Sequence, residues 1–196
     1  MPTEIPSADR DDAPPATSKR ADVLHDATMA LAEGKGSTIA ARAVTIARPV
    51  GEVFAYFRDF ANLPTFMENV ERIDILDERR SHWVVKAPAG RSVEWDALVT
   101  AEQQNAFVEW ASQPGADVDN SGRVEFVDAG ARGTVVTATI AYAPPGGIVG
   151  KVIAKMFQRE PGIQARRDLR RLKQLLETGE IATAAMNVEQ HTKEHG

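Results

Sequence analysis

From Val70 to Ala143 the chain repeats one pattern, short runs in which apolar and polar residues alternate, set off by turn residues. The runs are VERIDILD, SHWVVKAP, RSVEWDALVTAEQQ, AFVEWASQ, GRVEFVDA and GTVVTATIAYAP. A period of two belongs to a strand with one buried and one wet face. Such strands at a spacing of roughly 8–12 residues read as an antiparallel meander. Turns are expected at Asp77-Glu78-Arg79-Arg80, Pro88-Ala89-Gly90, Gln104-Asn105, Asn120-Ser121-Gly122 and Gly130-Ala131-Arg132-Gly133.

The stretch HWVVKAPAGRSVEWDA, residues 82–97, fixes how the faces fall. If Val85 lies opposite Val93, then Trp83 lies opposite Trp95, and both rings take the inner face. His82, Lys86, Glu94 and Asp96 then face outward, with Lys86 placed to pair with one of the carboxylates. A register one residue out would turn Glu94 and Asp96 inward and expose both tryptophans. The same alternation sends Trp110, Phe126 and Tyr142 inward.

The flanking elements are helical. AARAVTIAR, 40–48, suits a first strand, and Pro49 opens a helix with Val53, Phe54 and Phe57 on its buried stripe. Asn62-Leu63-Pro64 breaks it. A second short helix, PTFMENV, is expected next, with Phe66 and Met67 turned inward. After Pro144-Pro145-Gly146-Gly147 the period becomes helical. Ile148, Val152 and Met156 share a face, with Val149, Ile153 and Phe157 beside them. Pro161 interrupts this helix or starts a second segment. Ala165, Leu169, Leu172 and Leu176 continue the stripe, and Gly179 is placed as a stop. A long helix of this kind covers the apolar face of a sheet. Residues 1–37 read as a disordered or weakly helical tail, 38–179 as the folded domain and 180–196 as a flexible tail.

This order of elements, together with ARPVGEVFAYFRDFANLPTFMENVERI, resembles the helix-grip superfamily of START, Bet v 1-like and polyketide cyclase/dehydrase (SRPBCC) proteins. The residues that carry the likeness are Arg48-Pro49-Val50, Val53-Phe54, Asp59, Pro64, Phe66 and Val70-Glu71. The hairpin at 82–97 and the PPGG entry are similar to a bacterial subgroup described as coenzyme-Q-binding START-like. The resemblance implies an α+β fold in which a curved antiparallel sheet wraps a long C-terminal helix. It also implies a cavity between helix and sheet. It transfers no catalytic set, because fold alone does not decide function.

Composition removes several classes. The chain has no cysteine, which excludes disulfides, thiolate metal sites and thiol nucleophiles. Its formal net charge of -5 argues against a nucleic-acid binder. The polar, proline-rich N-terminus lacks the apolar core of a secretory signal, and no run approaches the ~18 apolar residues of a membrane span. The expected compartment is the cytoplasm. His191 and His195 have i, i+4 spacing but no third ligand, His25 stands alone, and His82 faces outward, so no metal or cofactor is expected. No G-x-S-x-G, P-loop or G-x-G-x-x-G element is present.

The candidate ligand-binding wall is therefore Trp83, Trp95, Trp110, Phe126 and Tyr142, joined by Phe66 and Met156. Packing alone accounts for inward aromatics equally well. Arg166, Arg167, Arg170 and Arg171 read first as a solvated helix face interleaved with Asp168. The alternative is contact with an anionic membrane surface. Binding of a hydrophobic lipid-, isoprenoid-, quinone- or polyketide-like molecule ranks first. A cyclase or dehydratase ranks second, with Tyr142 and Arg91 as candidate groups and no catalytic residue assigned. An interaction protein ranks third.

Overall fold

The computed structural model describes residues 38–87, 90–116, 118–143 and 161–181. The weakly helical N-terminal tail, the stripe through Met156, residues 182–196 of the C-terminal tail, His25, His191 and His195 lie outside them. Strands β1 (Thr38–Ile46), β2 (Val70–Ile75), β3 (Arg80–Ala87), β4 (Arg91–Gln103), β5 (Phe107–Ser112), β6 (Asp119–Asp128) and β7 (Thr134–Ala143) form one sheet. Its order is β1-β7-β6-β5-β4-β3-β2, and every pairing is antiparallel. The last six strands therefore follow one another as a meander, and β1 closes onto β7. Register shifts at Val70/Arg72 and Val99/Ala101 add twist and help the sheet to curl.

Helix α1 (Val50–Arg58) crosses the inner face after Pro49, with Glu52 in its first turn and Arg58 in its last, the signs the helix dipole favours. Val53, Phe54 and Phe57 are its buried residues, as the spacing predicts. The second helix differs from expectation. It is a 3-10 helix at Phe60–Thr65, begins earlier and contains Pro64. The Asp59 carboxylate caps it by accepting from the Ala61 N–H at 3.2 Å. Phe66 is fully buried just beyond it, and Met67 packs against the core.

Helix α2 (Pro161–Thr178) buries Ala165, Leu169 and Leu172. Gly179 ends it with φ +78° and donates its N–H to the Leu175 carbonyl. The helix grips both margins of the curled sheet. Lys173 Nζ donates to the Thr45 carbonyl at 2.6 Å, and Arg48 Nε to the Leu176 carbonyl at 2.6 Å, which fixes it along edge strand β1. On its other flank Arg171 Nε donates to the Phe66 carbonyl at 2.9 Å, just before edge strand β2.

Two further expectations change. Asn120-Ser121-Gly122 is not a turn but the start of β6; the reversal falls at Gln113–Ala116, closed by the Ala116 N–H on the Gln113 carbonyl. Asp168 is not on a solvated face but buried, 8% exposed, on the inner side of α2.

Candidate functional site

The hairpin register is the expected one. Val85 faces Val93 and Trp83 faces Trp95, and the two indoles stack at 6.1 Å with 13° between their planes. Both are buried. They end a chain of ring contacts: Phe126 with Phe54 and Phe57, Phe57 with Phe60 and Phe66, then Phe60 with Trp83. Phe66, Trp83 and Phe126 thus sit within packed core, where ring-edge contacts and apolar burial stabilise the sheet against α1.

The two tryptophans are not equivalent. Trp83 Nε1 donates to the buried Ser81 hydroxyl at 2.9 Å. Trp95 Nε1 is buried and has no acceptor among the described residues. Leaving such a donor unpaired costs ~1–3 kcal/mol.

Along β5, β6 and β7 the inner face is unevenly covered. Trp110, Ser112, Asn120 and Ile140 point inward by register yet are only part-buried, whereas Val44, Ile46, Val108, Val124 and Val136 toward the other end are buried. The Trp110 ring lies across Gly122, so close that a Cβ there would overlap its Cζ2. Gly122 lets the indole lie flat as a floor. Tyr142 pairs with both Asn120 and Thr38 at this end; of it the backbone alone is described.

Two polar side chains of this region escaped the sequence reading. Arg42 shares the inner face of β1 with Val44 and Ile46; its Nη1 donates to the Ala41 carbonyl at 2.7 Å, and its Nε is buried without a partner among the described residues. Asn120 Oδ1 is likewise buried and unpaired among the described residues, while the Asn120 backbone N–H donates to the Ser112 hydroxyl at 3.0 Å. A period-two count places both inward. Nothing in the local pattern singles them out, because a polar residue near a strand end usually meets water.

The other charged candidates lie elsewhere. Glu94 and Asp96 are on the outer face, where His82, not Lys86, bridges them, with Nδ1 2.7 Å from Asp96 and Nε2 3.4 Å from Glu94. The Asp96 hydrogen bond raises the His82 pKa above its usual value. Lys86 turns to the Glu68 carbonyl, since Ser92 faces it across the hairpin. Arg91 is exposed at the start of β4. Arg167 and Arg170 are exposed on α2, Arg166 is part-buried, and Arg171 is drawn in by Phe66. An outer depression of about 590 Å³ is lined by Arg58, Glu78, Arg79 and Glu102. Its arginines already serve Glu102 and the Glu78, Val99 and Thr100 carbonyls.

Buried Asp168 is the ionisable group of α2 most altered by its surroundings. Desolvation pushes it up to about 7, against the opposing pull of Gln164, the Glu68 N–H and Arg171. Gln164 Nε2 donates to its Oδ1 at 2.9 Å. No helix among the described residues is long and apolar enough to cross a membrane.

A sheet curled round a C-terminal helix, with two short helices after the first strand, defines the START-like helix-grip class. Residues 37–177 match the family described as polyketide cyclase / dehydrase and lipid transport, and the chain belongs to it. It is similar to the crystal structure of DR_A0006 from Deinococcus radiodurans, at 38% identity and TM-score 0.59, covering 73% of this chain and 100% of that one. TTHA0849 from Thermus thermophilus shares the fold at 23% identity and TM-score 0.59, covering 70% of this chain and 95% of that one. The Zhui aromatase/cyclase from Streptomyces sp. R1128 does so at 14% identity and TM-score 0.58, covering 74% of this chain and 99% of that one. A search of curated proteins finds no match.

Proposed function

We propose that the protein binds a hydrophobic small molecule on the open part of the inner face, between the sheet and the C-terminal helix. The observation that carries this reading is the buried indole N–H of Trp95, which has no acceptor among the described residues, on the same inner face as the part-exposed floor of Trp110 and Gly122. Apolar burial supplies affinity, roughly 25 cal/mol per Å² before the costs of association. A few placed polar groups orient the guest. Family membership supports the reading, since the family description joins cyclase, dehydrase and lipid-transport proteins.

The test is native mass spectrometry of freshly purified protein, with extraction of anything bound, followed by fluorescence titration of the recovered molecule. Trp95→Phe keeps a ring and removes the donor. It is expected to weaken binding by roughly threefold to tenfold, while the urea midpoint moves little. Unchanged affinity, or a stability loss that matches the binding loss, returns Trp95 to the core.

Catalysis is the second reading. Asp168, at about 7 on the inner side of α2, is the one observation in its favour, because such a carboxyl exchanges protons near neutrality. Turnover of a carbonyl-rich polyketide-like substrate that disappears in Asp168→Asn would establish it.

A further inference from the structure

Arg42 is out of place for a core position. It sits among Val44, Ile46 and Ala138 on the inner face, and no carboxylate among the described residues pairs with it. Among the described residues its guanidinium meets the Ala41 carbonyl alone, and its Nε is buried. A charge held on an apolar face without a counter-charge is costly, and guanidinium binds acidic oxygens through strong, directed hydrogen bonds. Asn120 offers a buried acceptor, Oδ1, from the same face two strands away. Ala138 and Ile140 of β7 lie between the two strands, and the Trp110 ring covers Gly122, the next inward position after Asn120, an apolar surface flanked by polar groups.

We propose that the ligand is an amphiphilic acid, its apolar body over Trp110 and Gly122, its acidic oxygen on Arg42 and a hydroxyl on Asn120. This deepens the small-molecule reading and rests on it. Ser112, whose hydroxyl is already committed to the Asn120 N–H, holds the β5–β6 edge of the site in place.

The test compares two probes with one body, 1-pyrenebutyric acid and its methyl ester, titrated at neutral pH by fluorescence. The wild type is expected to prefer the acid by roughly tenfold or more, the scale of a charge-assisted hydrogen bond. Arg42→Gln is expected to erase that preference and leave the ester affinity unchanged. Asn120→Asp, a second variant that keeps the arginine, adds a negative charge to the same face and is expected to weaken the acid more than the ester. Equal affinities in the wild type, or a preference that survives both variants, overturn the acid inference and leave hydrophobic binding standing. Failure of both probes to bind overturns the two together.

Discussion

At the residue scale, Gly122 shows how a small change is read by its neighbour. The sequence pattern Asn-Ser-Gly signals a turn, yet here the glycine is a strand residue whose missing side chain makes room for Trp110. Gly122→Ala must push the indole off the sheet, because a Cβ would overlap three of its ring carbons. The expected cost is ~1–3 kcal/mol in urea denaturation, with a shifted tryptophan emission spectrum. Turn propensity concerns local backbone freedom, whereas this glycine answers to a side chain on another strand. That is why local reading failed at Gly122 and succeeded at Gly179, where the requirement is the helix's own geometry.

At the element scale, α2 binds the two margins of the sheet through polar contacts set beside an apolar stripe. The stripe of Ala165, Leu169 and Leu172 is legible as helical spacing; the burial of Asp168 is not, because it depends on the segment at Phe66–Glu68 lying against that turn. Asp168 gives the contact a pH dependence. Its folded pKa of about 7 exceeds the ordinary 3.8, so between those values the folded state holds a proton the unfolded state has released. Its contribution to stability is complete below about 4 and is lost as pH rises through about 7. Denaturation midpoints across pH 4–8 should therefore show wild type losing stability relative to Asp168→Asn, on the order of 3 kcal/mol for a shift of this size. A difference that stays flat with pH would show that the carboxyl is not buried as described.

At the scale of the whole molecule, the inner face divides into a packed part and an open part. Phe54, Phe57, Phe60, Phe66, Trp83 and Phe126 fill the first; Trp110, Asn120, Ile140 and Arg42 mark the second. The two parts should respond differently to truncation. Phe126→Ala is expected to cost ~3–5 kcal/mol, because it opens a cavity beneath α1. Trp110→Ala, at a part-exposed site, is expected to cost less and to remove most of the affinity for a pyrene probe. Denaturation and titration of the same two variants check both. Equal stability losses would mean that the face is one continuous core.

The meander, the inner and outer faces of its strands, the Trp83–Trp95 pairing and the stripe and stop of the last helix are legible in the residues alone. All of these follow from periods of two and of 3.6, which are local properties of the backbone. Tertiary structure decided which inward aromatics are packed and which are partly open. It also set His82 rather than Lys86 between Glu94 and Asp96, buried Asp168, and left Arg42, Trp95 and Asn120 with buried atoms unpaired among the described residues. Alternation says which way a side chain points. What it meets there depends on strands and helices distant in the chain, and a ligand site is defined by the partners that packing does not supply.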